Sequence, residues 1–256
     1  MGRYAIKIQY DGTRYVGYQV QPNGPSIQAE LDRALGLIAK LAADQNLATV
    51  AAGRTDAGVH ALGQVVHFDF PFQIQPPHLL KAMNSILPKD IQVCDCRQVG
   101  DDFHARYDAV GKFYRYRVDT QPYPDPFKRL YTTHHPYAYS LAAIQEGLSV
   151  LQGENDFTSF CSTKTDKTNK VRRIDQILAY EDQDNKELIF DFKGNGFLYN
   201  MIRIIVGTAL QIGDGLKPVE EMQRLLQVKD REEAGPTAPA QGLYMMEVYY
   251  PNQPFS

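Results

Sequence analysis

From Met201 to Ile212 the chain reads MIRIIVGTALQI, with apolar residues at Met201, Ile202, Ile204, Ile205, Val206, Ala209, Leu210 and Ile212. Wound at the helical period, these side chains cover nearly every side, and a helix apolar all round is a buried one. The pattern predicts a helix over 199–212 enclosed by other layers of structure. No apolar run in the chain approaches the length of a membrane span. Asn200, Arg203, Gly207 and Gln211 are the main interruption, spaced three, four and four residues apart along one face. An unpartnered guanidinium in such a helix is very costly. Arg203 therefore meets a carboxylate or an anionic ligand, pairs structurally with any acid, or snorkels to the surface; the helix pattern leaves all three open. The preceding Gly194-Asn195-Gly196 lacks the third glycine and the spaced acid of a dinucleotide-binding loop.

Strands and helices alternate around that segment. Residues 4–10 alternate as a strand and end at the turn pair Asp11-Gly12. Ser26 is positioned as the N-cap of a helix with Ile27, Leu31, Ala34, Leu35, Ile38 and Leu41 on one face. Strands are predicted at 47–52, 64–70 and 91–97, with a helix at 78–87. The second half repeats this grammar, with strands at 112–118, 176–181, 188–193 and 243–250 and helices at 141–151, 199–212 and 219–227. Proline-rich QPYPDPF, 121–127, reads as an excursion loop. The expectation is an α+β fold of two sheet-and-helix halves, 1–105 and 106–256, joined near 101–109.

With 256 residues, 43% of them hydrophobic, the chain can bury one large core or two modest ones. Its net charge of −3 argues against a non-specific nucleic-acid coat. It leaves room for an RNA enzyme, because phosphate contacts depend on where positive charge sits. Lys164, Lys167, Lys170, Arg172 and Arg173 gather in one short stretch with a single acid, Asp166. Of three cysteines, Cys94 and Cys96 stand two apart on a predicted strand, which aims both at one face without a zinc or disulfide spacing. The histidines fall in no metal-ligand spacing, so neither a metal nor a cofactor is expected. The opening MGRYAIKIQYDG enters strand-like alternation at once, so no secretory leader is expected and a reducing cytoplasm suits the thiols.

Three further stretches could carry chemistry. AAGRTDAGVHALGQVVHF, 51–68, sets Arg54 and Asp56 on a short connection bracketed by Gly53 and Gly58. It is either a surface turn with an incidental ion pair or an aspartate held out for chemistry, glycine being what tight backbone geometry demands. In KFYRYRV, Tyr114, Tyr116 and Val118 share one face of a strand while Phe113, Arg115 and Arg117 share the other. Such aromatics serve as ordinary sheet or as a stacking platform for bases. In FHARY, Phe103, His104 and Arg106 sit at the junction between the halves.

Taken together, GRTDAGVHALGQVVHF, YDGTRYVGYQVQP, FHARYDAVGKFYRYRV, GENDFTSF, GFLYNMIRIIVGTAL and APAQGLYMMEVYY resemble, in order, the motifs of the tRNA pseudouridine synthase A family. The anchors run from Tyr10 to Tyr250. One departure is Tyr18 after Gly17, where the family commonly has tryptophan; another aromatic can fill that slot. The resemblance implies a cofactor-independent isomerase that converts uridine to pseudouridine at positions 38, 39 and 40 of the tRNA anticodon stem-loop. It implies two ferredoxin-like halves with mainly antiparallel sheets forming a central RNA-binding cleft, and a homodimer in which one tRNA contacts both subunits. Asp56 would be the nucleophile, Tyr114 would pack against the uracil and Arg203 would pair with Asp56. Arg54 would extract the nucleotide or hold its phosphate. Phe103, Arg106, Lys112, Lys164 and Arg172 are the further candidate substrate contacts. Two rival classes use the same residues differently: a non-catalytic RNA-binding module, which leaves Asp56 and Arg203 without purpose, and a carboxylate-driven nucleoside hydrolase.

Overall fold

Tyr4, Ile6, Ile8 and Tyr10 are buried along one face of β1 (Gly2–Tyr10), as the alternation demands, in a computed structural model that describes residues 1–42, 47–165, 167–252 and 254–255. The chain divides into two units, residues 1–110 with 244–256, and residues 111–243. A division in chain order at 105/106 misses this, because the closing strand belongs with the first unit.

In the first unit, β1 is followed by α1 (Ile27–Ala39), β2 (Val50–Ala51), β3 (His60–Phe70), α2 (Pro76–Ile86) and β4 (Ile91–Val99). This is the β-α-β-β-α-β order of a ferredoxin-like unit. β1 lies between β3 and β4, antiparallel to both. Tyr4 stands opposite Phe68 and Ile6 opposite Val66, and with Ile8 and Phe70 they form an apolar sheet face. Fully buried Ile27, Leu31 and Leu35 of α1 and Leu79 and Met83 of α2 complete this core. Ser26 caps α1, its hydroxyl accepting from the Ala29 N–H at 3.2 Å.

Three local expectations in this unit change. The strand foreseen at 47–52 shrinks to β2, because Thr49 turns its N–H and hydroxyl to the buried Asp32 carboxylate, 3.2 and 2.7 Å away. β3 starts at His60, earlier than alternation indicated. Cys94 is exposed while Cys96 is buried. The β1–β4 register shifts between Lys7/Asp95 and Ile8/Val93, so Cys94 is a bulge residue and the alternation slips by one. Along one edge β3 pairs with two strands, antiparallel with β2 at Val66 and His67 and parallel with the closing β-strand at His60 and Ala61.

The second unit contains β5 (Gly111–Asp119), β6 (Thr133–His134), α3 (Leu141–Ser149), β7 (Gly153–Asp156), β8 (Val171–Asp182), β9 (Glu187–Gly194), α4 (Met201–Gly213) and α5 (Glu221–Val228); β10 (Leu243–Tyr249) is the closing strand. Its antiparallel sheet runs β5-β9-β8-β7, with β6 parallel beside β5. Tyr114, Tyr116 and Val118 oppose Phe192, Phe190 and Leu188, and all six side chains are buried. β8 begins inside the basic run, so Arg172 and Arg173 lie on a strand and not in a loop. α4 begins at Met201 instead of residue 199 because Asn200 adopts a left-handed conformation at φ 60°.

The polar stripe of α4 has a specific neighbour. Residues 235–238 run along it: the Ala238 N–H donates to the Arg203 carbonyl at 3.0 Å and the Gly235 N–H to Thr208 Oγ1 at 3.0 Å. A Cβ on Gly207 would lie 1.9 Å from the Pro236 carbonyl oxygen, so glycine admits this backbone. Replacing Gly207 with alanine should therefore push 235–238 off the helix and lower stability by about 1–3 kcal/mol in urea unfolding; an unchanged midpoint would contradict this packing.

His67 on β3 accepts the Ala105 N–H at Nδ1, 3.1 Å away, which requires an unprotonated nitrogen. Burial first, then neighbouring His104 and Arg3, pull its pKa from 6.5 down to about 4. Between those values the unfolded chain binds the additional proton, so stability is complete above pH 6.5 and falls as acid approaches pH 4. Comparing urea unfolding of the wild type and His67→Gln across this window should reveal an acid loss on the order of 2 kcal/mol specific to the histidine. Parallel pH curves would remove His67 as its source.

Candidate active site

Between β2 and β3 the chain leaves the sheet ladder, and residues 52–59 must find other partners for their backbone groups. The Ala52 N–H donates to the Val65 carbonyl at 2.8 Å, and the Tyr18 N–H to the Thr55 carbonyl at 3.0 Å. Gln64 Nε2 donates to the Gly53 carbonyl at 2.8 Å, and the Gly58 N–H to the Tyr15 carbonyl at 3.3 Å. The Val59 N–H closes a turn on the Asp56 carbonyl at 3.1 Å, with Gly58 as its third residue at φ 76°. A type II turn needs positive φ at that position, which a residue with a Cβ adopts at a cost of ~1–2 kcal/mol. Gly53 is not among the positive-φ residues, so the two bracketing glycines serve different ends. Thr55 is buried, Asp56 half-buried and Arg54 exposed. The loop thus holds a carboxylate partly open to water on a backbone fixed at several points.

In the same unit, Phe103 packs against the rings of His67 and Tyr250, with centroids 6.1 and 5.3 Å away. Arg106 is exposed, and its backbone N–H donates to His104 Nδ1 at 3.2 Å. FHARY is therefore a packed aromatic anchor that carries one exposed cation.

Tyr114, Lys112, Arg203 and the basic run all belong to the second unit. Tyr114 is buried with its ring edge-on to Phe197, centroids 5.3 Å apart. Lys112 is half-buried on β5, opposite Gly194. Tyr116 has a separate role: its hydroxyl is 2.5 Å from Thr133 Oγ1 and donates to the Pro239 carbonyl at 2.7 Å. Arg203 is half-buried, donating from Nε to the Ala238 carbonyl at 2.7 Å and from Nη1 to Asn200 Oδ1 at 3.0 Å. Two neutral oxygens of its own unit thus aim the guanidinium.

Within the basic run, Lys164 is exposed. Arg172 donates to the carbonyls of Asn169 and Val171, and burial lowers its pKa from the usual arginine value. Arg173 pairs with Asp175 at 2.7 Å and is offset as a free cation. The acid weighed against this run, Asp166, lies outside the described residues.

Residues that sequence reasoning overlooked lie behind the Asp56 loop. Gln64 and His60, both buried on β3, hold a loop carbonyl and the Gly12 N–H respectively, and the His60 ring stacks on Tyr244 at 4.8 Å. The available signal was polar side chains in HALGQVVHF, on a strand otherwise apolar enough to be buried.

A family model described as tRNA pseudouridine synthase matches residues 6–108 and 148–251. The first segment holds Arg54, Asp56, Phe103 and Arg106 and the second Lys164, Arg172 and Arg203, while Lys112 and Tyr114 lie between them. The tRNA pseudouridine synthase A of Ligilactobacillus salivarius is 46% identical over 97% of this chain and 96% of its own length. Those of Lacticaseibacillus casei and Exiguobacterium sibiricum are each 49% identical, over 98% of this chain and 100% and 98% of theirs. Among solved structures, a Cbf5-Nop10-Gar1 complex aligns with 95% of this chain and about half of its own, 49%, at 12% identity and a TM-score of 0.37, too slight a likeness to bear on function. With one family matched on both sides of the polypeptide and relatives alike from end to end, the chain belongs to the tRNA pseudouridine synthases.

Proposed function

We propose that this isomerase converts uridine to pseudouridine at positions 38, 39 and 40 of the tRNA anticodon stem-loop, with Asp56 as its nucleophile. The observation that carries the reading is a half-buried carboxylate on a turn pinned by backbone hydrogen bonds, inside the segment shared with the family. The reaction breaks C1′–N1, turns the uracil and joins C1′ to C5, with the proton lost from C5 balanced by one gained at N1. A carboxylate suits the first step, since an aspartate is ionised near neutral pH and can capture an oxocarbenium-like sugar. Its oxygen bonds to C1′ as N1 departs with the electron pair; C5 of the turned base then displaces it, the C5 proton passes to a base and N1 takes up a proton, so that the product is an isomer of the substrate.

In this reading Arg203 pairs with Asp56 and keeps it charged. Tyr114 packs against the uracil ring, offsetting part of the few kcal/mol needed to extract the nucleotide. Arg54, Arg106, Lys112, Lys164 and Arg172 contact phosphates, and Phe103 is a further contact to the substrate RNA. The enzyme works in the cytoplasm without a cofactor, as a homodimer with one tRNA touching both subunits.

Unmodified tRNA carrying tritium at C5 of its uridines separates the possibilities. Label release without free uracil is expected; free uracil would identify a hydrolase, and no release a binding module. Asp56→Asn should abolish release, by roughly 10³-fold or more, while tRNA binding persists. Substituting Lys164, Lys167 and Arg172 together with glutamine should weaken tRNA binding and reduce the slope of log affinity against log salt by about 2 to 3, with thermal unfolding unchanged. Equal affinity across the salt series would remove this patch from the interface.

A further inference from the structure

A buried hydroxyl pair stands directly behind the Asp56 turn and takes no part in the chemistry above. Tyr10 Oη and Thr55 Oγ1 are 2.8 Å apart, with Tyr10 4% and Thr55 7% exposed. Tyr10 is the last residue of β1, and the pairing with β3 steps from Ile8 opposite Gln64 to Tyr10 opposite Ala61, an irregularity of the kind that re-aims side chains beside active sites. Thr55, immediately before Asp56, is thus held twice: through its hydroxyl to β1 and through its carbonyl to the Tyr18 N–H. Burial pushes the Tyr10 hydroxyl up to about 12, so it stays a neutral O–H at working pH.

We propose that the Tyr10–Thr55 hydrogen bond positions the catalytic carboxylate, making Tyr10 and Thr55 positioning residues for the isomerisation. This rests on Asp56 being the nucleophile. A hydrogen bond fixes direction as well as distance, whereas apolar contact of equal volume is non-directional. Burying two hydroxyls contributes little net stability when an apolar pair of the same shape can replace them, so stability and positioning are separable here.

The test compares kcat, KM for tRNA and thermal unfolding in Thr55→Ser, Thr55→Val, Tyr10→Phe and the Tyr10→Phe/Thr55→Val pair. Thr55→Ser keeps the hydroxyl and should stay within about twofold of wild-type kcat. Thr55→Val and Tyr10→Phe should each lower kcat about 10- to 100-fold with KM unchanged, the scale expected when a reacting group is misplaced by an ångström. The decisive variant is the double one: with neither hydroxyl left unsatisfied, its melting temperature should recover toward wild type while kcat stays low. Recovery of kcat alongside the melting temperature would show a purely structural role and overturn the proposal, as would wild-type kcat in Tyr10→Phe, which stands as the test should Thr55→Val not fold. If Asp56→Asn retains turnover, the nucleophile assignment falls and this proposal with it; if Asp56→Asn is inactive and the hydroxyl variants are fully active, only the positioning role falls.

Discussion

Backbone hydrogen bonding at the gap between β2 and β3 is the constraint on which the site depends. A strand that leaves its ladder exposes N–H and C=O groups whose burial without partners costs free energy. The first unit answers with donors from β3 and from the segment after β1 to the Gly53 and Thr55 carbonyls, and with the Tyr15 carbonyl as acceptor for the Gly58 N–H. Those partners come from two separate stretches of chain, so the loop acquires its shape only once the segment after β1 and β3 have been brought together. The result is a connection that carries an acid and a cation yet is held like part of the sheet.

The second unit solves a different problem, the burial of α4. Every residue of that helix is buried except the half-buried Arg203 and Gln211, which share one stripe with Gly207 and the preceding Asn200. An extended backbone segment suits such a stripe, because its own N–H and C=O groups need partners as much as the helix's polar side chains do. Residues 235–238 supply it: Arg203 donates to one of their carbonyls, and Gly207 leaves room for another. The arginine is thereby oriented by neutral oxygens of its own unit, hydrogen bonds that fix its direction. Tyr116 secures the continuation of the same segment at Pro239, which separates its role from that of Tyr114 two residues earlier on the same face.

Charge follows the same logic of partial commitment. Arg115 and Arg117 on β5 are bound to Asp191 and Glu187 at 2.8 Å, and Arg173 to Asp175. Among the described residues Lys164 and Arg172 are not in these acid pairs, and Arg172 donates to the carbonyls of Asn169 and Val171. A count of basic residues along the chain overstates the positive surface, because each carboxylate at 2.8 Å neutralises one of them.

Amphipathic periodicity determined most of the fold by itself, because a helix face or strand face that must be buried repeats at a fixed interval whatever lies against it. Ser26 as a cap, the alternation of 4–10 and of 112–118, and the all-round apolar character of α4 were legible for that reason. The motif around Asp56 was legible as a tight connection carrying an acid and a cation beside glycines, a pattern that by itself left a surface turn and a site for chemistry both open. Only tertiary structure decided the rest. The Cys94 bulge, the shortened β2, the partner of the α4 stripe and the clamp of Tyr10, Tyr18 and Gln64 on the Asp56 loop all depend on strand register and on contacts between residues far apart in sequence. No local pattern encodes such contacts, because each partner would be equally stable in water until the chain brings the other to it.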